Sequence, residues 1–465
     1  MVTTAGLATA AQNRTRLIAA RCSLLCYSLA EPLMPRFTFA QPTRLRGQVP
    51  LLGDKSISHR ALLFSALAQG PTRVHGLSIG GDVASTAQCL AQLGVAVSRA
   101  DKVTLVQGLR DWSSPTGVLD CGNSGTTMRL LLGALAGQAG IRAQLTGDAS
   151  LRRRPMRRVE APLCQMGAQI ELSPEGTAPV QLWGQPLHGA DLTLPVASAQ
   201  VKTAILLAGL RASGPTRVAE PLPSRDHSER ALRAMGADIR YHDGAWQIAP
   251  GPLQSLGLWE IPGDPSSAAF AALAALLHPN AEVVVPQLCC NPTRLGWLCV
   301  VERMGARCQL RDLGEMAGEP VGQLLCQSSD LHGVTVAATE VPGLIDEVPI
   351  LALAAAAAQG TTRFCSVGEL RHKESDRLAE TLRLLAMLGV SAHSEGDDLI
   401  VQGCGSPHFW RQLPFEFDAG LDHRMAMTAA VAGLVGPAAV TLADTQAIAT
   451  SWPGFIELFQ TLTVA

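Results

Sequence analysis

Apolar positions along this chain fall into two kinds of run. Some recur every three or four residues, as in His227-Ser228-Glu229-Arg230-Ala231-Leu232-Arg233-Ala234, and predict amphipathic helix. Others are apolar almost without a break: Leu130–Ala136, Thr203–Leu210, Ala268–Leu277 and Ile350–Ala358. The last is the most apolar, yet it is far too short and Ala-rich to span a bilayer, so it reads as a buried helix. A fixed punctuation follows five helix-like runs: Leu93-Gly94-Val95, Met166-Gly167-Ala168, Met235-Gly236-Ala237, Met304-Gly305-Ala306 and Leu388-Gly389-Val390, at spacings of 73, 69, 69 and 84. A glycine just past a helix is the usual left-handed cap, and the β-prone residues behind it start a strand. A period near seventy is too long for a solenoid and regular enough for one α/β unit copied several times. The run Pro453–Leu462 is taken to open a sixth copy that ends with the chain.

Six units divide into two domains of three. One crossing is expected at the turn-rich Ile261-Pro262-Gly263-Asp264-Pro265-Ser266-Ser267 and a second near Pro50–Asp54. The strand-like Thr43–Leu52 then belongs with the C-terminal half. The expected division is 54–262 for the N-terminal domain and 36–53 plus 263–465 for the C-terminal domain. A double crossing makes a cleft, and clefts between domains take small substrates.

Composition narrows the function. Apolar residues make up 47% and charged residues 16%, with a net charge of −2, which fits a globular chain and disfavours a nucleic-acid binder. Aromatics at 4% leave little for base stacking. Twelve cysteines are scattered with no C-x-x-C pair, as suits a reduced, cytoplasm-like compartment. The first thirty residues contain no Asp or Glu and carry Arg14, Arg16 and Arg21, a composition similar to an organelle transit peptide. The preferred reading of residues 1–35 is a plain extension, disordered or preceding a start at Met34; a transit peptide would place the protein in a plastid instead.

Of four lysines against thirty-three arginines, three sit in polar motifs: Lys55, Lys202 and Lys373. Lys is a compact charge whose pKa can move, whereas Arg grips anions bidentately and stays charged. Gly53-Asp54-Lys55-Ser56 fails as a P-loop because Asp54 stands where glycine is required, but Lys55, Ser56 and Arg60 open a helix whose free N–H groups suit an anion. Gly122-Asn123-Ser124-Gly125-Thr126-Thr127-Met128-Arg129 is a second small-residue helix start, with Arg129 placed in the first turn against the dipole, as though an anion lay between. Arg152-Arg153-Arg154-Pro155-Met156-Arg157-Arg158 supplies charge for phosphorylated or carboxylated metabolites. Ser198-Ala199-Gln200-Val201-Lys202 and Ser224-Arg225-Asp226-His227 precede two further helices, the second with Ser or Asp as its cap. Ile345-Asp346-Glu347 and Lys373-Glu374-Ser375-Asp376-Arg377 offer paired carboxylates beside cations, able to divide acid and base roles. Leu421-Asp422-His423-Arg424 heads an apolar helix. Each motif has a plain capping or solvated-surface alternative. No metal cluster, Ser/His/Asp order or dinucleotide fingerprint competes with them.

Taken in order from about Arg44 to the C-terminus, GDKSISHR, GNSGTTMR, GDASLRRRPM, LPVASAQVK, SRDH, IDEVP, ELRHKESDR and LDHRMAM resemble the 5-enolpyruvylshikimate-3-phosphate synthase family of enolpyruvyl transferases. The resemblance implies an α/β fold of two similar domains, each three copies of a βαβαββ unit in an inside-out barrel, joined by a double-crossover hinge. It implies transfer of the enolpyruvyl group of phosphoenolpyruvate to the 5-hydroxyl of shikimate 3-phosphate by addition–elimination, with no metal or cofactor. It implies that Lys55, Ser56, Arg60, Ser198, Ala199, Gln200, Arg225, Asp346 and Lys373 bind shikimate 3-phosphate. Lys55, Asn123, Gly125, Arg154, Gln200, Arg377 and Arg424 would hold phosphoenolpyruvate. Lys55, Asp346 and Glu374 would be catalytic, with Asp346 the base near the 5-hydroxyl and Glu374 handling the proton at C3. Glyphosate would occupy the phosphoenolpyruvate site, and a methyl group at Gly125 would crowd it. The expected partners are these two small molecules, with no nucleic acid and no membrane, and a monomer. Some family members carry a late lysine before the last helix; here Asp444-Thr445-Gln446-Ala447-Ile448-Ala449-Thr450-Ser451 has none. The related transferase acting on UDP-N-acetylglucosamine has Lys-Asn where this chain has Lys55-Ser56. An inactive paralogue with the same fold would be expected to lose Lys55, Asp346 or Glu374. An RNA-end-processing enzyme of similar repeat architecture is disfavoured by charge and aromatic content.

Overall fold

A computed structural model describes residues 36–464, so the questions raised by residues 1–35 lie outside the described residues. Six near-continuous apolar stretches form six central helices: α1 (Lys55–Leu67), α2 (Gly125–Ala136), α3 (Ala199–Gly209), α4 (Pro265–Leu277), α5 (Val348–Ala357) and α6 (His423–Val435). A helix apolar on every face must be covered on every face. Every residue of α5 and α6 is buried. The sheets therefore lie outside the helices, which gives the inside-out arrangement, and the six sheets stay separate instead of closing into a barrel.

Five of the six repeats combine strand, central helix, strand, outer helix and two strands. In the second repeat these are Leu119–Asp120, α2, Arg142–Thr146, the helix Arg157–Gln165, Gln169–Glu171 and Val180–Trp183. The first two strands are parallel, and the fourth lies antiparallel between the second and third. The same order recurs in the sheets built on Asp191–Thr193 and on Thr335–Val336. The five punctuating glycines all follow the outer helices, with φ between 77° and 98°. The last repeat corrects the expectation that Pro453–Leu462 opens it. It opens with Phe415–Phe417 and α6, and the terminal helix Phe455–Val464 is its outer helix. Among the described residues no strand follows that helix, and Phe37–Phe39 pairs antiparallel with Val440–Leu442, which lies parallel to Phe415–Phe417.

Two hydrophobic cores result. One gathers residues between Ile57 and Ile261 (with Cys289), the other Phe39 to Val49 together with Ala268 to Leu462. Within the first, α2 and α3 approach so closely that a Cβ on Gly133 would stand 2.2 Å from the Ala204 carbonyl oxygen. Only Leu45–Gln48 of the strand-like Thr43–Leu52 is strand, and it pairs in parallel with Ala281–Cys289. The two crossings run side by side: Gly53 and Gly263 form a β-bridge. Among the described residues, no helix is long and apolar enough to cross a membrane.

Candidate active site

The N-termini of the central helices meet where the two lobes face each other. Polar caps hold most of them there. Asp54 accepts from Ile57 N at 2.7 Å, Ser124 from Thr127 N at 3.1 Å, Ser198 from Val201 N at 3.4 Å, Asp264 from Ser266 N at 2.8 Å and Asp422 from Arg424 N at 3.0 Å. Side chains stitch one start to the next. Gln200 Nε2 donates to Thr126 Oγ1 at 2.9 Å, and Arg294 bonds both Asp54 and Asp264. Ser266 Oγ donates to Glu347 at 2.5 Å, and Glu347 takes Arg424 Nη1 at 3.2 Å. Several helix starts aimed at one space give a field that favours anions, with free N–H groups to bind them.

The N-terminal wall carries Lys55, whose Nζ lies 3.0 Å from Asp82 Oδ2. Beside it, Arg154 donates to Asn123 Oδ1 at 2.8 Å, and Asn123 donates to Asp148 at 2.6 Å. Arg129 lies in the second turn of α2, because the helix starts at Gly125, and not in the first turn as the sequence suggested. Its Nη1 donates to Gln200 Oε1 at 2.6 Å. Burial, with Arg158 and Arg154 close by, pulls the Arg129 pKa down to about 10, as expected of a cation crowded by cations.

The C-terminal wall is a ladder of carboxylates and cations. Arg377, 1% exposed, bonds Glu374 at 2.6 Å and Asp422 at 2.9 Å and stands 3.5 Å from Asp346. Lys373 lies 3.4 Å from Asp346, and Arg424 Nη1 donates to the Asp346 carbonyl at 3.2 Å. Among the pairs that cross between the walls are Arg225 to Asp346 at 2.7 Å and Arg154 to Glu374 at 3.4 Å.

Burial alone would raise the Asp346 carboxyl pKa, but Lys373, Arg225, Arg424 and Arg377 outweigh it and hold the group well below the usual range. Glu374 behaves alike: burial pushes up, while Arg377, Arg154 and Lys55 push down and win. Both carboxylates are therefore ionised. His423, beside them, is driven down to about 3 by burial and by Lys55, so it stays neutral.

Lys55, Asp346 and Glu374 thus belong to one network of charges where the lobes meet: Arg377 touches both carboxylates, and the Lys55 charge acts on Glu374. Ser56 and Ala199 lie in the first turns of α1 and α3 next to Lys55 and Gln200. Arg60 points inward instead. It is 3% exposed and donates to Ser228 Oγ, Thr203 Oγ1 and the Ser56 carbonyl. One helical turn separates it from Ser56, enough to carry its guanidinium into the core. Lys202 also lies in the core, 1% exposed, between Glu220 and Glu229, so its place in a polar motif reflects packing. Neither Ser224 nor Asp226 caps the helix at His227; Asp226 bonds Arg230 and Asn291 instead.

Residues 39–459 match the family model for EPSP synthase (3-phosphoshikimate 1-carboxyvinyltransferase). The chain belongs to the EPSP synthase family. A 3-phosphoshikimate 1-carboxyvinyltransferase of Roseiflexus castenholzii is 46% identical over 425 residues, 90% of this chain and 97% of the relative. A solved EPSP synthase from Acinetobacter baumannii superposes with a TM-score of 0.82 at 38% identity, covering 92% of this chain and 98% of that one. The enolpyruvyl transferase NikO from Streptomyces tendae, at 20% identity and a TM-score of 0.75, shares the fold. The stretch of this EPSP synthase family member that lacks the late lysine closes on the opposite lobe. A Cβ on Gly80 would stand 2.4 Å from the Thr450 carbonyl oxygen. Asp82 is a site residue that the sequence did not betray, since it follows an ordinary Gly80-Gly81 helix start and only the fold brings it to Lys55.

Proposed function

We propose that this chain transfers the enolpyruvyl group of phosphoenolpyruvate to the 5-hydroxyl of shikimate 3-phosphate and releases phosphate. Membership of the EPSP synthase family supports the reaction. The observation that carries the assignment of roles is the charge network of Lys55, Asp346 and Glu374 at converging helix starts, crossed by Arg225–Asp346 and Arg154–Glu374.

In this reading, residues 54–262 and 36–53 with 263–465 are the two bodies that close on the substrates. Lys55, Ser56, Ser198, Ala199, Gln200, Arg225 and Lys373 hold shikimate 3-phosphate, with Arg60 acting from behind Ser56. Lys55, Asn123, Gly125, Arg154, Gln200, Arg377 and Arg424 hold phosphoenolpyruvate. Arg225 and Lys373 turn from Asp346 to the substrate, which leaves Asp346 free to take the 5-hydroxyl proton as the oxygen bonds C2. Phosphoenolpyruvate draws Arg154 and Arg377 away from Glu374. The cations that hold its pKa down are then shared with the substrate, so the pKa rises and Glu374 delivers a proton to C3. In the second half Glu374 takes a C3 proton back while the C2–O bond to phosphate breaks. Clamping both anions supplies orientation, and the helix starts stabilise the added charge.

Both halves of the site come from one chain, so a monomer suffices. The ten cysteines among the described residues are all free, consistent with a cytoplasmic setting. The test is phosphate release, which should require both shikimate 3-phosphate and phosphoenolpyruvate. Release with only one substrate, or activity with UDP-N-acetylglucosamine in place of shikimate 3-phosphate, would overturn the assignment.

A further inference from the structure

One charged cluster lies a layer beneath the cleft, and three of its four members, Lys202, Glu220 and Glu229, have no part in the chemistry above. Lys202 Nζ sits 2.7 Å from Glu220 Oε2 and 2.7 Å from Glu229 Oε1, with side-chain exposures of 1%, 6% and 0%. Arg60 completes it, through Thr203 and Ser228, which also bond each other. Two cations face two carboxylates, and the Glu229 charge offsets part of the burial that lowers the Arg60 pKa to about 10. Such a cluster is costly to bury and contributes little net stability unless it also fixes a conformation.

Glu220 is the member that reaches the cleft. It directly follows the strand Thr216–Ala219. While Oε2 takes Lys202, Oε1 accepts two bonds, from Ser198 N at 3.0 Å and from Ser224 Oγ at 2.6 Å. Ser198 caps α3 and begins Ser198-Ala199-Gln200. Ser224 directly precedes Arg225. One buried carboxylate therefore ties together the two segments of this lobe assigned above to shikimate 3-phosphate, and a buried lysine holds that carboxylate in place.

We propose that Glu220 is a positioning residue for shikimate 3-phosphate, setting the distance between the Ser198–Gln200 helix start and the Arg225 loop, with Lys202 as its anchor. The inference rests on the substrate reading above. Its physical signature separates it from a bare charge effect. A carboxylate near a phosphate site repels the phosphate, so losing its charge alone would tighten binding. Losing the two hydrogen bonds would loosen the site and weaken binding.

The experiment is steady-state kinetics with calorimetric titration of shikimate 3-phosphate, on the full chain and on Glu220→Ala and Glu220→Gln. Misplaced binding groups cost on the order of tenfold or more. Glu220→Ala should raise the KM for shikimate 3-phosphate about tenfold, the scale set by such misplacement, and leave that for phosphoenolpyruvate within about twofold. Glu220→Gln, whose amide oxygen still accepts from Ser198 and Ser224, should fall between. Unchanged or tighter shikimate 3-phosphate binding overturns the proposal, and so do equal rises in both KM values. Should Glu220→Ala not fold, Ser224→Ala removes one of the two bonds and keeps the lysine paired. It should raise the shikimate 3-phosphate KM alone, and no change there counts against the proposal. If the unaltered chain binds shikimate 3-phosphate and the variants bind it as well, only this inference fails. If the unaltered chain neither binds nor converts it, the substrate reading fails and this inference with it.

Discussion

Arg225 and Asp346 join the two walls of the cleft, with Nη2 2.7 Å from Oδ2 and both side chains less than one-fifth exposed. The arginine comes from the loop before the helix His227–Ala234 and the aspartate from the turn before α5. Each is thus partnered by a group from the other wall. The pair also has a pH signature. The folded carboxyl titrates well below its usual 3.8, so its stabilising effect is complete above that value and is lost as the pH falls through the folded pKa. Urea midpoints of the unaltered chain and Asp346→Asn should differ by a constant amount from pH 8 to pH 5, and the gap should shrink only below about pH 4. A gap that already closes between pH 7 and pH 5 would contradict the depressed pKa.

Glu374→Gln should lower turnover by about a hundredfold or more, the scale of a lost general acid–base group. The side chain keeps its shape and its neighbours Arg377 and Arg154, so calorimetric binding of shikimate 3-phosphate should persist. Near-normal turnover would remove Glu374 from the proton transfers.

A methyl group on Gly125 would stand 2.7 Å from Arg129 Nη1 and 3.4 Å from Arg154 Nη1. Both contacts are the far ends of flexible side chains, so the fold should tolerate Gly125→Ala while the guanidinium groups shift. The inhibition constant of glyphosate should then rise more than the phosphoenolpyruvate KM does. Inhibition assays giving equal rises in the two constants would show that the crowding does not discriminate between them.

Gly133→Ala meets backbone instead, the Ala204 carbonyl at 2.2 Å, and neither helix can yield without parting α2 from α3. Overpacking of this kind costs about 1–3 kcal/mol. The urea midpoint should fall accordingly, while the KM values of the folded fraction stay close to those of the unaltered chain. An unchanged midpoint would mean that the two helices have room to separate.

Much of this architecture is legible in the residues. The glycines at 94, 167, 236, 305 and 389 mark the repeat because only a residue without a side chain adopts those backbone angles cheaply, and the unbroken apolarity of Ile350–Ala358 announces a helix covered on all sides. The helix start at Lys55 is equally plain, because capping chemistry is local, whereas α2 and α3 begin at Gly125 and Ala199, ahead of the apolar runs that announced them. What is not local was missed. The inward turn of Arg60 follows from helical phase against Thr203 and Ser228, far along the chain. Asp82 reaches Lys55 only because two helices of one repeat pack together. Lys202 sits in a motif that looks like a ligand-binding segment, yet its partners Glu220 and Glu229 come from two later elements with no spacing rule of their own.

The β-bridge between Gly53 and Gly263 places the entry and exit of the intervening stretch in direct contact. That stretch is in effect an insert with adjacent ends, and a short peptide could splice it out in either direction. Cutting the chain at one of the two points would leave the other as a tether. A protein nicked there should keep its halves together, and two separately made fragments have matched ends from which to reassemble.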